Sequence, residues 1–111
     1  MSVQPLAYGY FRVRPWTSAH AIETRRQDMV EFAQREGLAL AEVFAESPES
    51  GICAISAVIE TLQKSKAQAL IIPALHHLGH FPGTQTAMRE LIERGTGVRL
   101  LVMYPHPDEP T

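Results

Sequence analysis

At 111 residues the chain is long enough for one domain with a real core and too short for two ordinary ones, and 45% apolar against 20% charged residues is globular rather than disordered composition. A formal charge of −2 and a pI near 6.2 exclude a generally basic nucleic-acid-binding surface, although a local basic patch remains open. No basic flank precedes an apolar run at the N-terminus, and no apolar stretch approaches the roughly 20 residues of a membrane helix, so neither a signal peptide nor a membrane span is expected.

Taken in chain order, "LAYGYFRV" from Leu6 to Val13 is aromatic and aliphatic and ends at Arg14-Pro15, which predicts a strand buried on at least one face. Arg12 and Arg14 alternate there with Phe11 and Val13, so the two arginines are expected to share one face of the strand end. From Ala21 to Glu36 the positions Ile22, Met29, Phe32 and Ala33 fall on one helical face, with Gly37 as the stop. "LALAEVFA" from Leu38 to Ala45 predicts a second strand, and "ESPESG" from Glu46 to Gly51 a loop. Ile55, Val58, Ile59 and Leu62 then form an i, i+3, i+4, i+7 stripe of a helix. "ALII" from Ala69 to Ile72 predicts a short buried strand stopped by Pro73. Met88, Leu91 and Ile92 mark a third helix closed by Gly95, and "GVRLLVM" from Gly97 to Met103 is the last strand. "YPHPDEPT" from Tyr104 onward is Pro-rich and acidic and reads as a loose tail, giving a domain over 1–103 and a tail over 104–111.

The order β-α-β-α-β-α-β argues for right-handed crossovers and a three-layer α/β domain, with a central, mostly parallel sheet of about four strands and helices on both faces. In such a sheet the loops after the strand C-termini line the ligand crevice. Arg12 to Thr17, Glu46 to Gly51 and Pro73 to Gly83 should therefore converge, bringing Arg12 or Arg14, Ser50 and the cluster His76-His77-x-x-His80 near one another. The single cysteine, Cys53, has no intramolecular partner and fits a reducing cytoplasm, the expected location. It reads as a small hydrophobe rather than a reactive thiol. Eight arginines against two lysines hint at a GC-rich bacterial genome.

Several segments together resemble a known family. "GYFRVRP" resembles the Y-x-R-V-S opening of the resolvase/invertase-type serine recombinase catalytic domain, and "FAESPESG" its F-x-D/E…S-G loop. "LHHLGH" resembles its L-D-R-L-G-R segment and "GVRLLVM" its G-V-x-L strand, so the likeness runs from about Tyr8 to Met103 in the same order. The resemblance implies a fold of the kind derived above. It also implies a chemistry in which a serine attacks a DNA phosphodiester, forming a phosphoserine link, while arginines neutralise the charge that develops on phosphorus. Carried over by position, the motif's first arginine is Arg12, but the serine falls on Arg14, the acidic residue on His76, and two arginines on His77 and His80. The arginine that follows the S-G loop has no counterpart, because no arginine lies between Arg35 and Arg89. Losing one transition-state donor commonly costs about 10²–10³ in rate, and losing the nucleophile removes the covalent route. Thr17 and Ser18 lie three and four residues further on than the serine position, out of place for the attack. Family members continue into a long helix and a DNA-binding domain. The eight residues after Met103 are too few for a helix-turn-helix, so the DNA-reading half is expected to be absent.

The histidine cluster admits three readings. His76 and His80 at i, i+4 are zinc-compatible on a helix, but Gly79 between them and nearby Pro82 argue against a regular helix, and no metal ligand is assigned. As largely neutral imidazoles near pH 7 they could hydrogen-bond an anion with Arg12 and Arg14. The plainest reading is polar loop residues kept by packing. The expected function is that of a catalytically defective serine-recombinase-like protein, binding a protein partner or itself without cleaving DNA, with no catalytic residue, cofactor or metal. A second reading is a re-purposed site for a phosphate-containing ligand, with Arg12, Arg14, Ser50, His76, His77 and His80 as candidate anion-binding residues. A third is residual DNA binding through Arg12 and Arg14, which predicts strong salt dependence. Trp16 and Phe81 flank two of the loops and are candidate partner contacts, with packing as the plainer role.

Overall fold

The computed structural model describes residues 4–47 and 54–104. Ser50 and Cys53 lie outside the described residues, as does the expected tail beyond Tyr104. The elements run β1 (Leu6–Arg12), α1 (Ala19–Arg35), β2 (Ala39–Glu46), α2 (Ala54–Lys64), β3 (Ala69–Ile72), a 3₁₀ turn (Leu75–His77), α3 (Pro82–Thr96) and β4 (Arg99–Val102). The strands form one parallel sheet in the order β2-β1-β3-β4. This is the three-layer α/β architecture read from the alternation of strand and helix patterns.

The order itself puts helices on both faces. The crossover through α1 moves one strand outward from β1, whereas those through α2 and α3 move the other way, and right-handed connections then require opposite faces. On one face Ala7 and Phe11 of β1 and Ala69 and Ile71 of β3 pack with Met29 and Ala33 of α1. On the other, Tyr10, Leu70, Ile72 and Leu100 pack with Ile55, Val58 and Leu62 of α2 and Ile92 of α3. Successive residues of a strand point to opposite faces, so a central strand buried on both sides must be apolar throughout. All four residues of β3 are fully buried, which is why "ALII" shows no alternation.

Two helix ends illustrate what glycine supplies. Gly37 follows α1 with φ 72°, the expected stop. α3, by contrast, runs through Gly95 and ends at Gly97, whose φ is 76° and whose N–H bonds the Glu93 carbonyl. The sequence reading closed this helix at Gly95, two residues early, because two glycines in "GTG" compete and only the left-handed position identifies the cap. β4 correspondingly begins at Arg99 rather than Gly97. At its far end the pairing continues past Val102, with Met103 N–H to Ile72 O and Tyr104 N–H to Pro73 O, both 2.9 Å. The outer edge of β4 is partly capped by a side chain, since Glu93 Oε2 accepts the Leu100 N–H. Among the described residues no helix is long and apolar enough to cross a membrane.

Candidate functional site

The sheet changes direction of growth between β1 and β3, and the C-terminal ends of those strands mark the usual ligand crevice. The last residue of β1 is Arg12, and after β3 Pro73 leads into the 3₁₀ turn Leu75–His77. A direct bond bridges the two ends: the Arg12 backbone N–H donates to His77 Nδ1 at 2.9 Å. An imidazole nitrogen that accepts carries no proton, so this bond fixes His77 as the neutral ring with its hydrogen on Nε2. His77 is buried, 6% exposed.

The Arg12 side chain is held just as locally. β1 and β2 pair with Arg12 opposite Glu46, so the two side chains share a face. Arg12 Nε lies 3.3 Å from Glu46 Oε2 and 3.4 Å from the Tyr10 hydroxyl, which itself donates to Glu46 Oε2 at 3.2 Å. Tyr10 is fully buried, and burial, reinforced by the Glu46 charge against the opposing pull of Arg12, pushes its phenol up to about 12. Tyr10, Arg12 and Glu46 thus form a polar triad at the strand ends. Sequence reasoning overlooked Tyr10 and Glu46, because their partnership follows from parallel register and not from local spacing.

Arg14 goes elsewhere. The chain leaves β1 and turns at Pro15-Trp16, with Thr17 N–H to Arg14 O at 3.0 Å and Arg14 N–H to Thr17 Oγ1 at 3.1 Å. The Arg14 guanidinium lies 5.7 Å from the centre of the Trp16 ring. Arg14 and Arg26 line a shallow groove of about 340 Å³ with Thr17, Ile22, Ala45 and Ser47, on the α1 side of the sheet. The expectation that Arg12 and Arg14 share a face is therefore corrected. β1 ends at Arg12, so strict alternation stops before Arg14 is reached.

Of the remaining candidates, His76 is exposed, its ring 4.5 Å from that of His77 and tilted by 34°. His80 is exposed just ahead of α3, whose first residue is Pro82. The regular helix that a zinc pair would need does not form, as Gly79 and Pro82 foretell. Among the described residues no group of three or more His, Cys, Asp or Glu side chains gathers as metal ligands would. The two hydroxyls that follow β1 in the chain are engaged with backbone: Thr17 as above, and Ser18 Oγ accepting from Ala21 N–H at 3.1 Å as the N-cap of α1.

No protein-family model matches the chain, and no curated protein sequence matches it. Solved structures do. The N-terminal catalytic domain of TP901-1 integrase superposes with a TM-score of 0.71 at 13% identity, over 88% of this chain and 76% of that one. The C-terminal catalytic domain of ISC1926 TnpA, an IS607-like serine recombinase, gives 0.74 at 16% identity over 92% and 72%. That of IS1535 TnpA, also IS607-like, gives 0.60 at 17% over 89% and 71%. The fold is that of a serine recombinase catalytic domain. At these identities the likeness concerns backbone architecture, and the side chains of this serine-recombinase-like fold have to be judged on their own geometry.

Proposed function

We propose that this serine-recombinase-like domain does not cleave DNA and acts by binding, to a protein partner or to a second copy of itself. The observation that carries the reading is the engagement of Arg12 at the strand ends. Arg12, the one arginine that matches the family motif, is tied to Glu46 and Tyr10 by its side chain and to His77 by its backbone. A guanidinium already neutralised by a carboxylate is a poor partner for phosphate, and a buried neutral imidazole supplies no charge. The motif's serine position holds Arg14, and Thr17 and Ser18 serve the backbone. Residual DNA binding through Arg12 and Arg14 together is disfavoured by their separation onto two faces. Trp16 and Phe81, 75% and 72% exposed at the strand-end side, support a protein contact.

The test is to incubate the protein with supercoiled and linear duplex DNA, denature, and look for a protein–DNA adduct. None is expected from the native chain or from Arg14→Ser, since the variant restores a hydroxyl without freeing Arg12. An adduct in either overturns the reading. Light scattering over a range of concentrations separates the two kinds of binding: a mass above 12.3 kDa for the pure chain assigns self-association. The second reading, a site for a phosphate-containing ligand, is favoured by one specific observation, the groove that holds Arg14 and Arg26.

A further inference from the structure

We propose that this groove is a binding site for a small phosphate monoester carrying an apolar group. The inference rests on the second reading above and moves its site from the strand-end histidines to the α1 side of the sheet. Arg14 comes from the β1–α1 turn and Arg26 from α1, while Ala45 and Ser47 come from the end of β2. Among the described residues, Arg12 pairs with Glu46 and Arg89 with Glu93, but neither Arg14 nor Arg26 pairs with a carboxylate.

Among the described residues the lining contains no carboxylate, although Glu46 stands between Ala45 and Ser47. Strand alternation turns Glu46 to the opposite face, where Arg12 and Tyr10 hold it. Two guanidiniums lining one groove repel each other, and a dianionic phosphate relieves that repulsion while matching their forked donors. Thr17 Oγ1 accepts the Arg14 N–H and keeps its own hydrogen to donate. The Trp16 ring beside Arg14 restrains that guanidinium, lowering the entropy lost on binding.

Size and floor choose the ligand. About 340 Å³ is much more than a bare phosphate occupies and lies at the small end of organic-ligand pockets. Ile22, Ala45 and Val13 give an aliphatic floor on which an apolar or planar group is desolvated. A long polyanion is disfavoured by a net charge of −2.

The experiment is an NMR titration of the full chain with phenyl phosphate, inorganic phosphate, phenol and a thymidine oligonucleotide. Phenyl phosphate is expected to shift the amides of Arg14, Thr17, Ile22 and Ser47, binding at least about tenfold tighter than inorganic phosphate or phenol. Arg26→Gln, and separately the exposed Arg14→Gln, should each weaken it by about tenfold or more with the rest of the spectrum native. Lys64→Gln on α2 should leave it unchanged. The proposal is overturned by any of three results: no shifts at these residues, binding indifferent to both groove variants, or tighter binding of the oligonucleotide. Loss of binding in Arg12→Gln but not in the groove variants places the ligand at the strand ends and also overturns it. The outcome is independent of the DNA-adduct assay, so the two readings fail separately.

Discussion

His77, which the motif resemblance aligns with a phosphate-gripping arginine, has its Nδ1 accepting the last N–H of β1. Replacing it leaves a part-buried backbone donor without an acceptor, a loss typically of about 1–3 kcal/mol, in addition to the packing of a ring that is 6% exposed. His77→Ala is therefore expected to lower the unfolding free energy by that order, read as a lower urea midpoint. His76→Ala and His80→Ala, at exposed positions, should change the unfolding free energy by no more than about 0.5 kcal/mol. Equal effects at all three positions would contradict the assignment of His77 as the structural bridge. The contrast separates residues that look identical in "LHHLGH".

Between elements, α1 approaches the sheet closely at Gly9 in the middle of β1. A Cβ there would lie 2.8 Å from Met29 Cε and 3.2 Å from Val43 Cγ2. The glycine lets α1 settle onto the sheet, with Met29 fully buried over it. The Met29 tip is flexible, but Val43 is β-branched on the neighbouring strand and gives little. Gly9→Ala is expected to destabilise by about 1–3 kcal/mol in thermal or urea unfolding, the usual range for overpacking. Combining it with Met29→Ala should cost less than the sum of the two single changes, because the new methyl partly fills the vacated space. Strict additivity would show that the clash is relieved elsewhere.

For the molecule as a whole, the polar triad at the strand ends ties two strands to the core beneath them and gives stability an alkaline limit. Tyr10 is an acid whose folded value, about 12, lies above its ordinary value near 10, so the folded state favours the neutral phenol. Its contribution is fully present below the unfolded value and is lost as pH rises through the folded one. Between roughly pH 10 and 12 the native chain should lose on the order of 2 kcal/mol by this route, read as a falling urea midpoint. Tyr10→Phe should be less stable at neutral pH, where the hydroxyl bonds are lost, yet show a shallower alkaline decline. An unchanged decline in that variant would remove Tyr10 as its cause.

By itself the sequence determined the alternation of strands and helices, the buried β3, the Gly37 stop and hence the three-layer class, because those signals are local and periodic. The motif order further pointed to the serine recombinase catalytic-domain fold that the structural comparisons then supplied. Tertiary structure alone decided what the candidate site residues do. Parallel register set Glu46 beside Arg12, and the β1–β3 adjacency delivered His77 to the Arg12 N–H. The early end of β1 sent Arg14 to the other face, where Arg26, unremarkable in α1, became its neighbour. Each of these pairings spans elements that are distant in sequence, and spacing along a chain carries no information about which side chains a sheet will bring together.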